Sequence, residues 1–206
     1  WFSTFLISRP YEETEKSFEE HIAFLAKMGA KVVGVSEQSY STQGMQGQPV
    51  FEGRHVMNDA EWRRLCDGLN RLGKLSLEKY GVALCFHHHM GTVVQSAAET
   101  ARLMDGTDPA LVGLLLDTGH FVYCGEDPLE TAQRYFERIR HVHLKDIRPD
   151  VMARVKAERL SFLDGVRAGA FTIPGDGCID FEPVFRLLED GGYKGYMVVE
   201  AEQDPA

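Results

Sequence analysis

Three consecutive histidines, His87, His88 and His89, end an apolar segment that has the length of a β-strand. Because side chains alternate along a strand, His87 and His89 are expected on one face and His88 on the other. Imidazole exchanges protons near neutral pH and binds divalent metals. The cluster therefore predicts that at least one of the three histidines binds a metal or takes part in acid–base chemistry.

Carboxylates end three other apolar segments of strand length. Glu37, Asp117 and Glu200 occupy these positions, and His120 follows Asp117 by three residues. A carboxylate at the end of a buried strand needs a hydrogen-bonding partner or a metal ion. All three carboxylates are therefore candidates for a functional site.

A further polar cluster occupies residues 141–148. Strand alternation would place His141, His143 and Lys145 on one face, where burial without polar partners would be costly. His143 is the natural metal ligand of this cluster. Lys145 and Arg148 are predicted to hold substrate oxygens or to donate a proton.

Asp117, His143 and Glu200 together form a predicted metal site, with one ligand from each of three strand ends. Two carboxylates and one imidazole suit Mn²⁺, Co²⁺ or Zn²⁺ better than Ca²⁺. Motifs for other chemistries are missing from the sequence. It contains no Gly-x-Ser-x-Gly, and the glycine-rich residues 174–177 lack the features of a phosphate loop and predict a turn.

These residues are carried by a regular alternation of strands and helices, which predicts parallel βαβ units. The predicted strands are residues 1–7, 31–37, 82–88, 112–117, 139–145 and 196–200, and the predicted helices are residues 11–28, 59–80, 95–104, 128–138 and 180–189. Polar residues collect at the carboxyl ends of the strands. That is the face on which (β/α) barrels place their active sites.

The composition limits the partners of the protein. The chain has 206 residues and a net charge of −9 with no block of Lys or Arg, which argues against a nucleic acid partner. No apolar run approaches the roughly 20 residues of a membrane span, so no membrane partner is expected. The four widely spaced cysteines predict reduced thiols and a cytoplasmic protein. The sequence leaves open whether the chain forms a homo-oligomer.

Taken together, the clusters resemble the xylose-isomerase-like sugar isomerase and epimerase barrels, a superfamily that also contains endonuclease IV. Within it, the likeness is strongest to the inosose dehydratases. The motifs that carry the resemblance are Trp-Phe-Ser-Thr-Phe-Leu at 1–6, His-His-His-Met-Gly-Thr at 87–92, Asp-Thr-Gly-His at 117–120, His-Val-His-Leu-Lys-Asp at 141–146, Pro-Gly-Asp-Gly at 174–177 and Glu-Ala-Glu-Gln-Asp-Pro at 200–205. The triple histidine and the last motif are the most specific of these.

The resemblance implies a single α/β domain, residues 1–206, of the (β/α)8 TIM-barrel type. Six strands are counted instead of eight, and the likeness begins at what corresponds to the third strand. The expectation is therefore an incomplete barrel, a fragment without its first two βα units. Such a barrel would have two open edges, with Phe2, Phe5 and Val198 exposed on them.

Family members commonly bind their metal through Glu, Asp, His and Glu from four successive strands. Asp117, His143 and Glu200 match the last three of these ligands, whereas the first has no match. His89 is the favoured fourth ligand, with His87 or Gln95 as alternatives. The resemblance implies Mn²⁺ or Co²⁺ as cofactor. Some descriptions of the family add glutathione, for which the sequence itself shows no site.

The activity that the resemblance implies is that of a hydro-lyase of inositol catabolism. It would remove water from 2-keto-myo-inositol (scyllo-inosose), a small keto-cyclitol, through an enediolate. His120, Lys145 and Glu37 are the acid–base candidates, and Arg148 and His87 the residues that would bind substrate. The alternatives are a ketose 3-epimerase or sugar isomerase with the same metal site, an endonuclease IV-like enzyme, which the acidic charge opposes, and an inactive, truncated barrel.

Overall fold

A computed structural model describes residues 1–203 and shows a parallel sheet of six strands with a separate pair of short antiparallel strands. The strands are β1 (Phe2–Thr4), β2 (Val32–Glu37), β3 (Ala83–His87), β4 (Val112–Asp117), β5 (Ile139–Leu144), β6 (Asp146–Ile147), β7 (Phe171–Thr172) and β8 (Met197–Val199). The sheet order is β1-β2-β3-β4-β5-β8, and every pairing in it is parallel. The predicted α/β architecture is confirmed. Asp204 and Pro205 of the last motif lie outside the described residues.

Helices connect the strands in the order expected for βαβ units. They are α1 (Tyr11–Lys27), α2 (Asp59–Tyr80), α3 (Ala97–Gly106), α4 (Thr118–Cys124), α5 (Pro128–Arg134), α6 (Pro149–Ala157), α7 (Phe162–Arg167) and α8 (Glu182–Asp190), with a 3-10 turn at Phe136–Arg138. The bounds of α2 agree with the prediction because its ends carry strong local signals. Asn58 and Glu61 form a capping box at the start, and Gly81 adopts the left-handed conformation at the end. None of the described helices is long and apolar enough to cross a membrane.

Helices α4, α6 and α7 and the strand pair β6–β7 are present in the structure but were not predicted. The two strands join in antiparallel register, with Asp146 opposite Thr172 and Ile147 opposite Phe171. Their two-residue length is too short to produce a periodic pattern. Around them a second apolar cluster forms, which includes Tyr123 and Phe162. This cluster packs beside the carboxyl ends of the main sheet.

The sheet is open in the described part of the chain, because β1 and β8 each pair on one side only. The predicted gap between the first and last strands is confirmed. The side chains of β8 are exposed, with 40% of Val198 accessible to solvent. The expected exposure of Phe2 and Phe5 is wrong: both are half-buried, and the ring of Phe2 packs edge-on against Phe18 of α1. The predicted first strand is also too long, since β1 ends at Thr4.

Helix α2 packs closely against the backbone just before β4, and Gly73 makes this approach possible. A Cβ atom at this position would stand 2.4 Å from the carbonyl oxygen of Leu111. We expect Gly73→Ala to lower the free energy of unfolding by about 1–3 kcal/mol, because overpacking against backbone outweighs the gain of about 1 kcal/mol in helix propensity. Denaturant titration measures the change. Lys74→Ala, on the exposed side of the helix, is the control. A stabilised Gly73→Ala protein would contradict the close packing.

Candidate metal centre and active site

Three predicted ligands meet at the carboxyl ends of β4, β5 and β8. The sheet register places Asp117 beside His143 and His143 beside Val198, and Glu200 follows β8 directly. The Nδ1 atom of His143 lies 3.4 Å from Asp117 Oδ2 and 2.9 Å from Glu200 Oε2. One ligand atom from each residue lies within 4.8 Å of the others, a spacing that could hold a metal ion. The structure therefore brings these three side chains together, as the strand ends predicted.

The two carboxylate oxygens of Asp117 have different partners. Oδ1 accepts a hydrogen bond from the backbone N–H of His120 at 2.9 Å and so caps α4. Oδ2 faces His87 Nε2 at 3.3 Å and Lys145 Nζ at 3.5 Å, in addition to His143. Burial opposes ionisation of Asp117, but Lys145 and the facing histidines hold the pKa of this carboxyl well below its usual range. Oδ2 is therefore an anionic atom in the interior.

His143 and Glu200 are close but do not form a hydrogen bond. Glu200 Oε2 lies 2.9 Å from both His143 Nδ1 and Lys145 Nζ. Within the described residues, neither Oε2 nor His143 Nδ1, both buried, has a hydrogen-bond partner of acceptable geometry. Burial lowers the pKa of His143, but Asp117 and Glu200 outweigh burial and raise it to about 9. Glu200 is likewise held ionised: burial raises its pKa, whereas His143 and Lys145 lower it far below the ordinary value.

A second group of ligand-type side chains, His89, His120 and Glu202, lies next to the first. Glu202 Oε1 is 3.6 Å from His120 Nε2 and 3.9 Å from His89 Nε2. His89 Nδ1 donates to the carbonyl of Met90 at 2.7 Å, which leaves the Nε2 lone pair free. Burial, reinforced by His120, lowers the pKa of His89 well below its usual value, so this imidazole is neutral. His89, the favoured fourth ligand, is thus not in the group of Asp117, His143 and Glu200.

Lys145 lies between the two groups and is fully buried. Its Nζ atom is 2.6 Å from Glu202 Oε1 and 3.3 Å from His120 Nε2, besides its contacts with Asp117 and Glu200. Burial would lower the pKa of Lys145, but the carboxylates of Asp117, Glu202 and Glu200 raise it above its ordinary value. The same buried environment, with Lys145 as neighbour, lowers the pKa of His120 well below its usual value. The ammonium group and the neutral imidazole are therefore in direct contact.

The three consecutive histidines have separate environments. The ring of His87 lies edge-on to that of Trp1, with 5.0 Å between the ring centroids, and its Nε2 atom lies 3.3 Å from Asp117 Oδ2. His88 points to the other side of the strand, where its ring stacks on Phe121 at 3.7 Å. Burial lowers the pKa of both imidazoles. The predicted division between His87 and His88 is therefore observed, and His88 packs in the interior away from the cavity.

A cavity of about 430 Å³ opens in front of the two groups. It is lined by Trp1, Gln43, Gly44, His87, His89, His143, Phe162, Leu163, Glu200 and Glu202. His120 and Lys145 do not line the cavity, but both contact Glu202, which does. Glu202 was not predicted to line the cavity, although it follows Glu200 by two residues at a strand end. Gln43 and Phe162 were not predicted either, and the sequence offers no local signal for them.

Arg148 does not reach the cavity. Its guanidinium donates to the carbonyl of Gly169 at 2.8 Å, to Thr172 Oγ1 at 2.9 Å and to Asp176 Oδ2 at 2.6 Å. These bonds tie β7 and the loops on both sides of it to the start of α6, which corrects the expectation that Arg148 clamps the substrate. Gln95 is likewise occupied away from the metal ligands, because its side-chain oxygen accepts from the N–H of Gly91 at 2.9 Å.

Glu37 is also placed away from the cavity, in contrast to the acid–base role expected for it. Its carboxylate is fully buried between β1 and β2. It accepts hydrogen bonds from Thr4 Oγ1 at 2.8 Å, from the N–H of Leu6 at 2.9 Å and from the N–H of Ser39 at 3.1 Å. These three donors satisfy the carboxylate and hold the turn after β1 against β2.

We expect Glu37→Gln to reduce stability and leave turnover nearly unchanged. One carboxylate oxygen would become an amide nitrogen, which cannot accept either the bonds from Thr4 and Leu6 at Oε2 or the bond from Ser39 at Oε1. Loss of hydrogen bonds to a charged group should lower the free energy of unfolding by about 2 kcal/mol. Denaturant titration and steady-state kinetics measure the two effects, with Glu189→Gln on the exposed face of α8 as the control. A large fall in turnover with unchanged stability would restore the catalytic role.

The chain is similar to a known protein family over almost its full length. A family model described as xylose isomerase-like TIM barrel matches residues 4–206. The chain is 59% identical to an inosose dehydratase of Clostridium perfringens over 206 residues, which cover 100% of this chain and 69% of that relative. It is 55% identical, with the same coverage, to an inosose dehydratase of Geobacillus thermodenitrificans.

Solved structures with the same fold are more distant in sequence. An IolI protein with a bound zinc atom has a TM-score of 0.69 and 20% identity, over 97% of this chain and 65% of that one. A D-psicose 3-epimerase in the presence of D-fructose has a TM-score of 0.68 and 18% identity, over 96% of this chain and 60% of that one. At such identities the likeness extends to the fold alone.

Proposed function

The chain belongs to the xylose isomerase-like TIM barrel family, in which it groups with the inosose dehydratases, and from this membership we propose that it eliminates water from 2-keto-myo-inositol. The observation that carries the proposal is the meeting of Asp117, His143 and Glu200 with the Lys145 ammonium at one cavity. Such a site combines a candidate metal centre with proton-transfer groups. Both can accelerate dehydration next to a ketone, since the metal stabilises the enediolate and the proton-transfer groups remove and supply protons.

The residues fit a divalent metal. His143 Nδ1 and Glu200 Oε2 are buried and close, yet make no hydrogen bond with each other. Once His143 has lost its proton, both atoms can direct a lone pair at a common ion. Asp117 Oδ2 adds a second anionic oxygen. This set of oxygen and nitrogen ligands suits Mn²⁺ or Co²⁺, which we propose as the cofactor. His87, whose Nε2 lies 3.3 Å from Asp117 Oδ2, is nearer to this set than His89 and replaces it as our candidate for the fourth ligand.

When bound, such a metal supplies Lewis acidity that polarises the ketone of the substrate. The rest of the chemistry falls to the side chains around the cavity. Its volume of about 430 Å³ suits a six-membered ring with hydroxyl substituents. Trp1 and Phe162 offer apolar surface to the C–H faces of such a ring, and Gln43 offers an amide to its hydroxyls. The side-chain oxygen of Gln43 is buried and has no hydrogen-bond partner within residues 1–203.

The first step needs a proton acceptor in contact with the substrate, and we assign His89 to it. Its neutral imidazole lines the cavity with the Nε2 lone pair free. Transfer of the α-proton to Nε2 breaks the C–H bond, and its electron pair moves into the carbonyl group to give an enediolate. The ring of His120 lies against that of His89 at 3.8 Å between centroids and holds it in place.

The second step needs a proton donor, and Lys145 supplies the proton through Glu202. The carboxylate of Glu202 lines the cavity and accepts from Lys145 Nζ at 2.6 Å. As the bond from carbon to the β-hydroxyl breaks, the hydroxyl receives this proton and leaves as water. The electron pair of the enediolate forms the new carbon–carbon double bond, so the elimination balances.

Incubation of the purified protein with Mn²⁺ and scyllo-inosose tests the proposed function. We expect loss of one molecule of water per substrate, followed by NMR and mass spectrometry. A ketohexose is the parallel substrate, and its epimerisation without loss of water would instead favour the ketose 3-epimerase. If a folded, metal-loaded protein catalyses neither reaction, the result would favour the inactive barrel.

Metal affinity is expected to rise with pH. His143, whose pKa is raised to about 9 in the metal-free centre, carries a proton below that pH and must lose it to bind a metal. Its raised pKa therefore opposes metal binding at low pH. The apparent Kd for Mn²⁺ should fall about tenfold per pH unit up to about pH 9 and then level off. Isothermal titration between about pH 7 and 9 measures it. A Kd independent of pH in this range would contradict the assignment of His143 as a ligand.

A further inference from the structure

We propose that the ammonium group of Lys145 takes the place of a second metal ion, and that loss of its charge opens a second metal site at His89, His120 and Glu202. The inference rests on the proposed metal centre at Asp117, His143 and Glu200. It adds that the centre holds one divalent ion because a built-in cation occupies the adjacent position.

The second group has the spacing of a metal site. Two atoms that each lie about 2.1 Å from one ion are at most about 4.2 Å apart. Glu202 Oε1 is 3.6 Å from His120 Nε2 and 3.9 Å from His89 Nε2, so both pairs meet this limit. The hydrogen bond from His89 Nδ1 to the carbonyl of Met90 orients Nε2 toward the group, as supporting carbonyls do for histidine ligands.

Lys145 already occupies the neighbourhood of these ligand atoms. Its Nζ atom contacts Glu202 Oε1 at 2.6 Å and His120 Nε2 at 3.3 Å, which are two of the three atoms that would bind the ion. A divalent cation bound to the same two atoms would lie against the ammonium group and be repelled by it. Lys145 therefore blocks the second site by charge as well as by volume.

The side chain of Lys145 is held firmly in this position. A Cβ atom on Gly119 would stand 2.6 Å from Lys145 Cγ, so the stem runs directly over the glycine. Its ammonium lies 4.7 Å from the centre of the Phe171 ring. The side chain is fully buried. This packing opposes displacement of the ammonium group when a metal approaches.

The charges of the centre support a single metal ion. Asp117, Glu200 and Glu202 bring three negative charges together around Lys145. One divalent ion and one ammonium group neutralise them completely. Without the ammonium, one negative charge would remain beside the two neutral imidazoles, and a second cation would then be attracted to the group.

Metal stoichiometry tests the inference without reference to activity. The protein is dialysed to equilibrium against Co²⁺, and bound metal is measured by atomic emission. We expect one equivalent in the unchanged protein and two in Lys145→Met, which keeps the stem and removes the charge. Lys145→Arg, which keeps the charge, should bind one equivalent. The double variant Lys145→Met with Glu202→Gln should return to one equivalent, because it lacks the anionic ligand of the second site. Lys16→Met, on the exposed side of α1, is the control and should bind one.

One equivalent in a folded Lys145→Met protein would overturn the inference, and so would two equivalents in the unchanged protein. No bound metal in the unchanged protein would instead reject the metal centre itself, a result that is distinct from the other two. Circular dichroism establishes that each variant is folded. If Lys145→Met does not fold, Lys145→Gln provides the same removal of charge with a polar head group, and the same stoichiometry decides.

Discussion

Removal of the metal is expected to reduce turnover of scyllo-inosose by about 10³-fold or more, because loss of a Lewis acid costs several kcal/mol of transition-state stabilisation. Asp117→Asn should have a similar effect. The amide can still accept the hydrogen bond that caps α4, which Asp117 Oδ1 receives from His120. The change therefore replaces the charged ligand atom Oδ2 and leaves the local fold supported.

The measurement combines dialysis against a chelator, readdition of Mn²⁺ or Co²⁺, and steady-state kinetics. Readded metal should restore the unchanged protein and fail to restore Asp117→Asn. Asp127→Asn is the matched control, since Asp127 caps α5 by the same kind of bond at an exposed helix end. Full turnover by the metal-free protein, or by Asp117→Asn, would rule out the centre as the catalytic one.

Replacement of Lys145 by Met is expected to lower kcat by roughly 100-fold or more, the usual contribution of a general acid. Lys145 does not line the cavity and reaches it through carboxylates such as Glu202, whose Oε1 lies 2.6 Å from Nζ, so substrate binding should change less than kcat. A drop in kcat with a nearly constant KM is the signature of a group needed in the transition state. A purely structural lysine would show its loss in stability instead.

Kinetics with one equivalent of metal supplied keep this measurement separate from any second metal ion. Lys145→Arg retains the charge but is a much weaker proton donor, so it should fold normally and remain slow. Recovery of kcat by Lys145→Arg would indicate that charge alone matters. A Lys145→Met protein with unchanged kcat would exclude Lys145 from proton transfer.

Local sequence pattern was sufficient to identify three ligand candidates and one long helix. Asp117, His143 and Glu200 could be identified because each stands at or next to the carboxyl end of a strand, and parallel strands deliver these ends to one edge. Helix α2 was placed correctly from its caps and periodicity. Helix α4 was missed, because its seven residues are too few for an apolar period and because its cap, Asp117, is also a ligand candidate.

Glu37 and Asp117 show what local pattern cannot decide. Both carboxylates end apolar strands and both are fully buried. Glu37 receives three hydrogen bonds, from the end of β1, from the turn after it and from Ser39, whereas Asp117 Oδ2 faces two histidines and a lysine. The difference arises from residues 30 or so positions away in the chain, which only the folded arrangement brings near.

The amino-acid sequence by itself therefore determined the strand–helix alternation, the parallel sheet and the polar residues available at the carboxyl ends of its strands. These features follow from periodicity and from the geometry of parallel strands. The tertiary structure decided which of those residues meet. It turned Arg148 toward Asp176, set Lys145 between the two ligand groups and brought Gln43 and Phe162 to the cavity wall. A buried polar group takes whichever partner the packing of distant segments presents to it, and no local pattern specifies that partner.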